Sequence, residues 1–171
     1  MTEAGSPFWR FSLEFYRRPG VAEACLALQD EAGVDVNLLL FLLWQASLGR
    51  RWSEWDVASL DGVVRPWREM AVLPLRAVRR ALKTPPAVPG AAQAERFRDR
   101  VKAVELEAER LQQEALYGWA EARDSAGPVG QWPISPLEEI GRDNIAAYQA
   151  VNPYAFPSEA VEAVLTALQA S

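Results

Sequence analysis

The sequence predicts an all-α fold, a bundle of six to eight helices arranged around one all-apolar central helix. Apolar residues recur at helical spacing along most of the chain. Serine, aspartate, proline and glycine mark the expected helix starts and stops. No convincing run alternates apolar and polar residues as a strand does. With 171 residues, half of them hydrophobic, the chain suffices for one compact domain.

The first third of the chain predicts three helices. Ser6 caps an aromatic-rich helix, with proline at its first helical position. A second helix covers about residues 21–32 and ends at Gly33. Asp35 caps a third helix over residues 36–48, which is apolar on every side and is therefore expected at the centre of the bundle.

Proline-rich breaks separate the helices expected in the rest of the chain. Three prolines within residues 84–90 forbid regular structure and predict a linker. Residues 127–134 predict a loop before the C-terminal helices, and the helical pattern is weakened around Gly62 and Pro66. We expect one domain over residues 1–171. The helices expected here begin at Ser53, near Pro74, near Ala91, at Ser135 and at Ser158.

Composition excludes several kinds of site. The chain has no histidine, which excludes a Ser-His-Asp triad and every zinc or iron site that needs one. The single cysteine, Cys25, excludes an intrachain disulfide and predicts an inert buried thiol in a reducing, cytoplasmic setting. No phosphate-binding loop or nucleophile elbow is present. We therefore expect no catalytic residue, no cofactor and no metal.

Charge is segregated along the chain. The formal net charge is −5, an acidic total that makes nucleic acid an unfavourable partner. Residues 50–100 nevertheless carry 11 basic and 6 acidic side chains, whereas residues 101–171 carry 4 and 11. We expect these two parts to attract each other inside one fold. The N-terminus does not read as a signal peptide, and no apolar run is long enough to cross a bilayer, so we expect no membrane contact.

The first candidate site is a basic stripe in the helix that begins near Pro74. Guanidinium groups on one helix face can hold a phosphate or a carboxylate through paired hydrogen bonds. Solvation, or ion pairs with the acidic part of the chain, is the structural alternative. The arginines of the candidate cluster are Arg68, Arg76, Arg79 and Arg80.

Two glutamates on the long helix provide the partners for this stripe. Glu105 and Glu109 lie one turn apart and border the apolar face that we expect for this helix. We predict that Arg76, Arg79 and Arg80 face these two carboxylates in a partly buried ion network. The expected apolar face contains Phe97, Val101, Val104, Ala108, Leu111, Ala115 and Trp119, and that of the arginine-bearing helix contains Leu75, Val78, Ala81 and Leu82.

A second candidate is a patch of aromatic and basic residues. The chain has seven tryptophans, and two of them follow a pair of arginines. An exposed patch of this composition is typical of protein interfaces, whereas inward packing of the rings is the structural alternative. The patch comprises Arg50, Arg51, Trp52 and Trp55.

Four motifs occur together in the first two thirds of the chain. They are FWxFSL from Phe8, GxDVNLLLxxxW from Gly33, PLRxxR from Pro74 and ELxAE from Glu105. As a set they resemble a family of small, uncharacterised, all-helical proteobacterial proteins, over about residues 7–117. The resemblance implies a cytoplasmic bacterial protein without an established activity, so no catalytic residue carries over.

These patterns favour a non-enzymatic helical protein that binds a protein partner or assists assembly. The alternative is a binder of an anionic small molecule bearing phosphate or carboxylate, or an enzyme acting on one, through the arginine cluster. The oligomeric state does not follow from the sequence.

Overall fold

The computed structural model describes residues 5–85, 90–125 and 135–170, and within these ranges it is helical without strands, which confirms the predicted all-α class. Residues 86–89 of the expected linker and the whole expected loop 127–134 lie outside the described residues. The elements are α1 (Pro7–Tyr16), α2 (Val21–Ala32), α3 (Val36–Ser47), α4 (Glu54–Trp67), a π-helical turn (Arg68–Val72), α5 (Leu73–Ala81), α6 (Ala91–Ser125), α7 (Leu137–Val151) and α8 (Ser158–Gln169).

The helices pack as two compact units. The first unit comprises the described residues of Met1–Asp61 and Gln113–Ser171, and the second comprises those of Gly62–Gln112. That residues 1–171 form one domain remains a prediction. Among the described residues, no helix combines the length and the apolar character that crossing a bilayer requires.

Helix α3 forms the core of the first unit, as its apolar sequence predicts. Its side chains from Asn37 to Ala46 are all buried. Phe8 of α1 stacks on Trp44 with ring centroids 5.3 Å apart and meets Phe41 edge-on at 5.4 Å. Helices α1, α2 and α7 contact α3, and α8 packs on α2 and α7. Aromatic pairs in these geometries add to the stabilisation that burial alone gives.

The caps expected at Ser6 and Asp35 are present, whereas α7 and α8 follow Pro136 and Pro157 without a side-chain cap at Ser135 or Ser158. The Ser6 hydroxyl accepts a hydrogen bond from the Trp9 backbone N–H at 3.1 Å. The Asp35 carboxylate accepts from the N–H groups of Asn37 at 2.9 Å and Leu38 at 3.4 Å. Each cap satisfies donors that have no partner within the helix, so each start is fixed by local chemistry.

Gly62 and Pro66, around which the helical pattern weakens, lie within α4, and a π-helical turn then connects α4 to α5 ahead of Pro74. Proline has no N–H group, and its ring displaces the carbonyl four residues earlier. The turn accommodates this because the Leu73 N–H bonds to the carbonyl of Arg68, five residues back. The path from α4 through α5 therefore stays helical across Pro74 and positions the arginines that follow.

Candidate functional site

The second unit is built around a polar seam between α6 and the stretch that runs from the end of α4 into α5. At one end of the seam, the indole N–H of Trp67 donates to the carbonyl of Ala108 at 2.9 Å. Val72 and Val101 are buried beside it. The rest of the seam is ionic, and it contains Arg76, Arg79, Glu105 and Glu109 of the predicted network.

Arg76 joins the two glutamates of α6. Its Nε donates to Glu105 Oε1 at 3.2 Å, and its Nη2 donates to Glu109 Oε1 at 2.7 Å. A guanidinium has its donors fixed in one plane, so it can serve two carboxylates one helical turn apart. Arg76 thereby ties α5 to two successive turns of α6.

Arg79 holds the other side of the same carboxylate. Its Nη2 donates to Glu105 Oε1 at 3.1 Å, while its Nε bonds to Glu105 Oε2. Glu105 thus accepts three charge-assisted hydrogen bonds, and its side chain is only 5 % exposed. A carboxylate this buried needs such compensation, because burying a charge without partners costs free energy.

The other two arginines of the predicted cluster differ in exposure. Arg80 is on the exposed side of α5, because one residue along a helix turns the side chain by about 100° from Arg79. Arg68 is half-buried in the π-helical turn. The seam joins Arg76 and Arg79 to the two glutamates.

This arrangement holds α5 against α6. Both oxygens of Glu105 are occupied, so an incoming anion has to displace a buried carboxylate from its two arginines. Such a displacement leaves a desolvated charge without its partner, which is costly. Within the described residues, no group of three or more acidic or cysteine side chains is placed to hold a metal ion.

Helix α6 turns a different face inward from the one that its apolar pattern predicts. Val101 and Ala108 are buried as expected, but Phe97, Val104 and Leu111 are exposed. Glu105 and Gln112 are buried in their place, with Val101 and Ala108. The seam is centred on Glu105, which lies about 100° around the helix from Val104. Glu105 faces α5 because it pairs there with Arg76 and Arg79.

The stretch that runs from the end of α4 into α5 also carries exposed apolar side chains. Leu75 and Leu82 are half-buried, but Val78 and Ala81 of the expected apolar face are exposed. We use "outer α5 face" for the exposed large apolar side chains along this stretch. They are Val63, Met70, Leu73 and Val78.

The aromatic and basic patch expected in the first unit is not one exposed surface. Trp52 is 8 % exposed and packs edge-on against Phe41, and its backbone N–H donates to Asn144 Oδ1 at 2.8 Å. Arg51 is half-buried and forms ion pairs with Glu139, at 2.7 Å, and with Asp143. The expectation of a common recognition surface is corrected here, because these contacts turn the ring and the guanidinium inward.

The other two members of the patch are separated from it. Trp55 is 74 % exposed. It lines a shallow surface depression with Ser53, Glu54 and Asp143. Arg50 is half-buried, and its Nη1 donates to Gln45 Oε1 at 3.4 Å.

The family of the chain follows from comparison with known proteins. Residues 7–116 match the model of a family described as protein of unknown function (DUF2390). No curated protein and no solved structure matches the chain. The matched range contains the whole second unit and every residue of its ionic seam. Because the match covers well over half of the sequence, the chain belongs to the DUF2390 family.

Proposed function

We propose that this protein is a non-enzymatic interaction or assembly factor that binds a protein partner through the outer α5 face. The observation that carries the proposal is the contrast between the seam and the outer α5 face. The seam pairs Arg76 and Arg79 with two glutamates, whereas the large apolar side chains of the outer α5 face are exposed to solvent. Exposed apolar clusters of this kind mark interaction sites on soluble proteins.

The outer α5 face has the composition of an interface centre. Met70 is 71 % exposed, and the side chains of Val63, Leu73 and Val78 are exposed as well. Methionine adapts its shape to a partner at low cost and is frequent at such surfaces. The face therefore favours a partner whose contact surface is apolar.

The ionic seam argues against the alternative, an anion-binding site at the arginine cluster. Arg76 and Arg79 are already neutralised by Glu105 and Glu109 within the same unit. A ligand phosphate competes there with carboxylates that are held at high effective concentration. The seam supports a structural role, which keeps the two helices together beneath the interaction surface.

We also propose that the protein works in the cytoplasm of a bacterium. The motifs of residues 7–117 resemble proteobacterial proteins, and the single thiol, Cys25, is free and buried. Structural disulfides are rare in reducing compartments, so a chain with one free thiol suits the cytoplasm. Fractionation of cells that produce the full chain tests this: recovery in the membrane or the secreted fraction would contradict it.

The proposed function predicts that one substitution on the outer α5 face abolishes partner capture. In Met70→Asp, a charge replaces the most exposed apolar side chain of the face, and an interface cannot bury an unpaired charge cheaply. Trp55→Asp is the matched control, because Trp55 is equally exposed but belongs to the first unit. We expect at least one protein to be retained by immobilised wild type and by Trp55→Asp, and at least tenfold less by Met70→Asp, as quantified by mass spectrometry.

The same variants separate the proposal from the anion-binding alternative. A rise in melting temperature with inorganic phosphate that is lost in Arg76→Ala would support a ligand site instead. The proposal is contradicted if every captured protein is retained equally by wild type and by Met70→Asp. Circular dichroism of each variant checks that the helices are intact.

A further inference from the structure

We propose that α6 carries a second interaction surface, through which two copies of this chain associate antiparallel. The surface consists of Phe97, Val104 and Leu111, here named the α6 stripe. It is distinct from the outer α5 face, so this inference goes beyond the proposed function. It rests on the exposure of the stripe and on the order of charges within it.

The α6 stripe is a row of exposed apolar side chains along one side of α6. Its three residues are seven positions apart, and seven residues make almost two full helical turns, so they lie one above another over about 21 Å. Val104, in the middle, is 55 % exposed, and Phe97 and Leu111 are also exposed. The inward side of α6 is occupied by the seam around Glu105, which leaves the stripe facing solvent.

The charges that interrupt the stripe are arranged to be self-complementary. Arg100 lies between Phe97 and Val104, and Glu107 lies between Val104 and Leu111; both are exposed. Hydrogen bonds from Arg110 hold the pKa of Glu107 below its usual range, so Glu107 is ionised at neutral pH. The guanidinium of Arg100 stacks over the Phe97 ring, 5.5 Å from its centroid.

When two stripes pack antiparallel, apolar side chains meet apolar side chains and opposite charges meet each other. With Val104 against Val104 of a second copy, Phe97 lies opposite Leu111, and Arg100 lies within one residue of Glu107. Each interface then contains two such ion pairs. A parallel pair would instead place Arg100 against Arg100 and Glu107 against Glu107, which like-charge repulsion disfavours. The order of residues therefore favours a second copy in antiparallel orientation as the occupant.

The stripe is narrow, so the expected dimer is weak and depends on concentration. Three apolar side chains from each copy, with charges between them, resemble a coiled-coil seam in which only one of the two core positions is apolar. Such an interface lies at the small end of the range for specific complexes. We expect the mass measured by sedimentation equilibrium to rise from 19.0 kDa toward twice that value as the concentration increases.

Two substitutions on the same helix test the surface. Val104→Asp should keep the protein monomeric, because it places two like charges at the centre of the interface. Leu106→Asp is the matched control: Leu106 is 49 % exposed, but two residues along a helix turn it about 200° away from Val104. We expect Leu106→Asp to associate as wild type does, with a change of less than twofold in the dissociation constant.

A charge exchange tests the antiparallel orientation. Arg100→Glu alone and Glu107→Arg alone each set like charges against each other, so each variant should dimerise at least tenfold more weakly. An equimolar mixture of the two, and the double variant, should restore association, because opposite charges then meet again. Circular dichroism should show unchanged helix content throughout.

The proposal is overturned if the wild type stays at 19.0 kDa at all concentrations, if Val104→Asp and Leu106→Asp weaken association equally, or if the charge exchange fails to restore it. Met70→Asp should dimerise like the wild type. Loss of partner capture and loss of self-association are therefore separate outcomes, and one can fail without the other.

Discussion

Glu105 is the residue on which the ionic seam depends. It accepts hydrogen bonds from Arg76 and Arg79 and is almost inaccessible to water. The sequence spacing places these arginines on one face of a helix, and the segregation of charge indicates acidic partners. The spacing does not show which carboxylate becomes buried, because that depends on how the two helices are rotated against each other.

The seam predicts that Glu105→Ala is strongly destabilising. The substitution leaves two partly buried guanidinium groups without their shared carboxylate, and breaking a buried pair in this way costs about 3–5 kcal/mol. Alanine is a good helix former, so the backbone of α6 does not account for the loss. Urea unfolding, together with hydrogen exchange of the α5 and α6 amides, measures the effect.

Glu107→Ala serves as the control for this prediction. Glu107 lies on the same helix and pairs with Arg110, but the pair is exposed and joins residues three positions apart. Exposed pairs contribute little, because water screens the attraction. If the two alanine variants unfold at the same urea concentration, Glu105 is not a buried clamp.

At the scale of the helices, the face of α6 that its apolar pattern predicts to be buried is not the face that the structure buries. An apolar stripe usually marks the side of a helix that faces the core. In α6, however, the seam passes through Glu105, and the stripe of Phe97, Val104 and Leu111 stays outside. The spacing of apolar residues predicts which of them share a helix face, but contacts with other helices determine which face is buried.

Asn144 on α7 links three segments of the first unit through hydrogen bonds, a role that the sequence pattern did not predict. Asn144 is fully buried, and its Nδ2 donates to the carbonyls of Leu42, at 3.0 Å, and Arg50, at 2.9 Å. Its Oδ1 accepts from the N–H of Trp52. One side chain thus joins α7 to the end of α3 and to the connection that follows it. A lone asparagine in a helical pattern carries no signal of this role.

We predict that Asn144→Ala destabilises the first unit by about 3 kcal/mol. The change leaves one buried N–H and two carbonyl groups with unmet hydrogen-bonding capacity, and each such group costs about 1–3 kcal/mol when no water replaces the partner. Differential scanning calorimetry measures the loss.

Asn152→Ala makes the same chemical change at the end of the same helix. Its Oδ1 accepts only a local, exposed hydrogen bond from the Tyr154 N–H. The Asn144 clamp would be refuted if the two variants melted at the same temperature.

At the scale of the whole molecule, the single thiol reports on the integrity of the first unit. Cys25 is fully buried on α2, and burial raises its pKa from 9.0 to about 12. Because the pKa of this thiol is higher in the folded than in the unfolded protein, the contribution of the neutral thiol to the free energy of unfolding is fully present below about pH 9. It is lost as the pH rises toward 12. The thiolate is the reactive form, so the native thiol is protected both by burial and by its pKa.

Cys25 is therefore expected to resist thiol reagents until the first unit opens. In native protein at pH 8, labelling should be at least a hundredfold slower than in guanidinium-unfolded protein. Ala58→Cys, which introduces an exposed thiol on α4, should be labelled rapidly at its new site. Mass spectrometry follows the labelling of each thiol. If Cys25 and the introduced thiol are labelled at the same rate in the folded protein, α2 is not packed as described.

The amino-acid sequence by itself determined the all-α class, the capped starts at Ser6 and Asp35 and the central position of α3. These features depend on local hydrogen bonds and on a helix so apolar that every orientation buries it. The tertiary structure alone decided that Trp52 is buried, that Glu105 lies inside and that Val104 lies outside. For an amphipathic helix several rotations are open, and the free energy of contacts between residues far apart in the chain selects one of them.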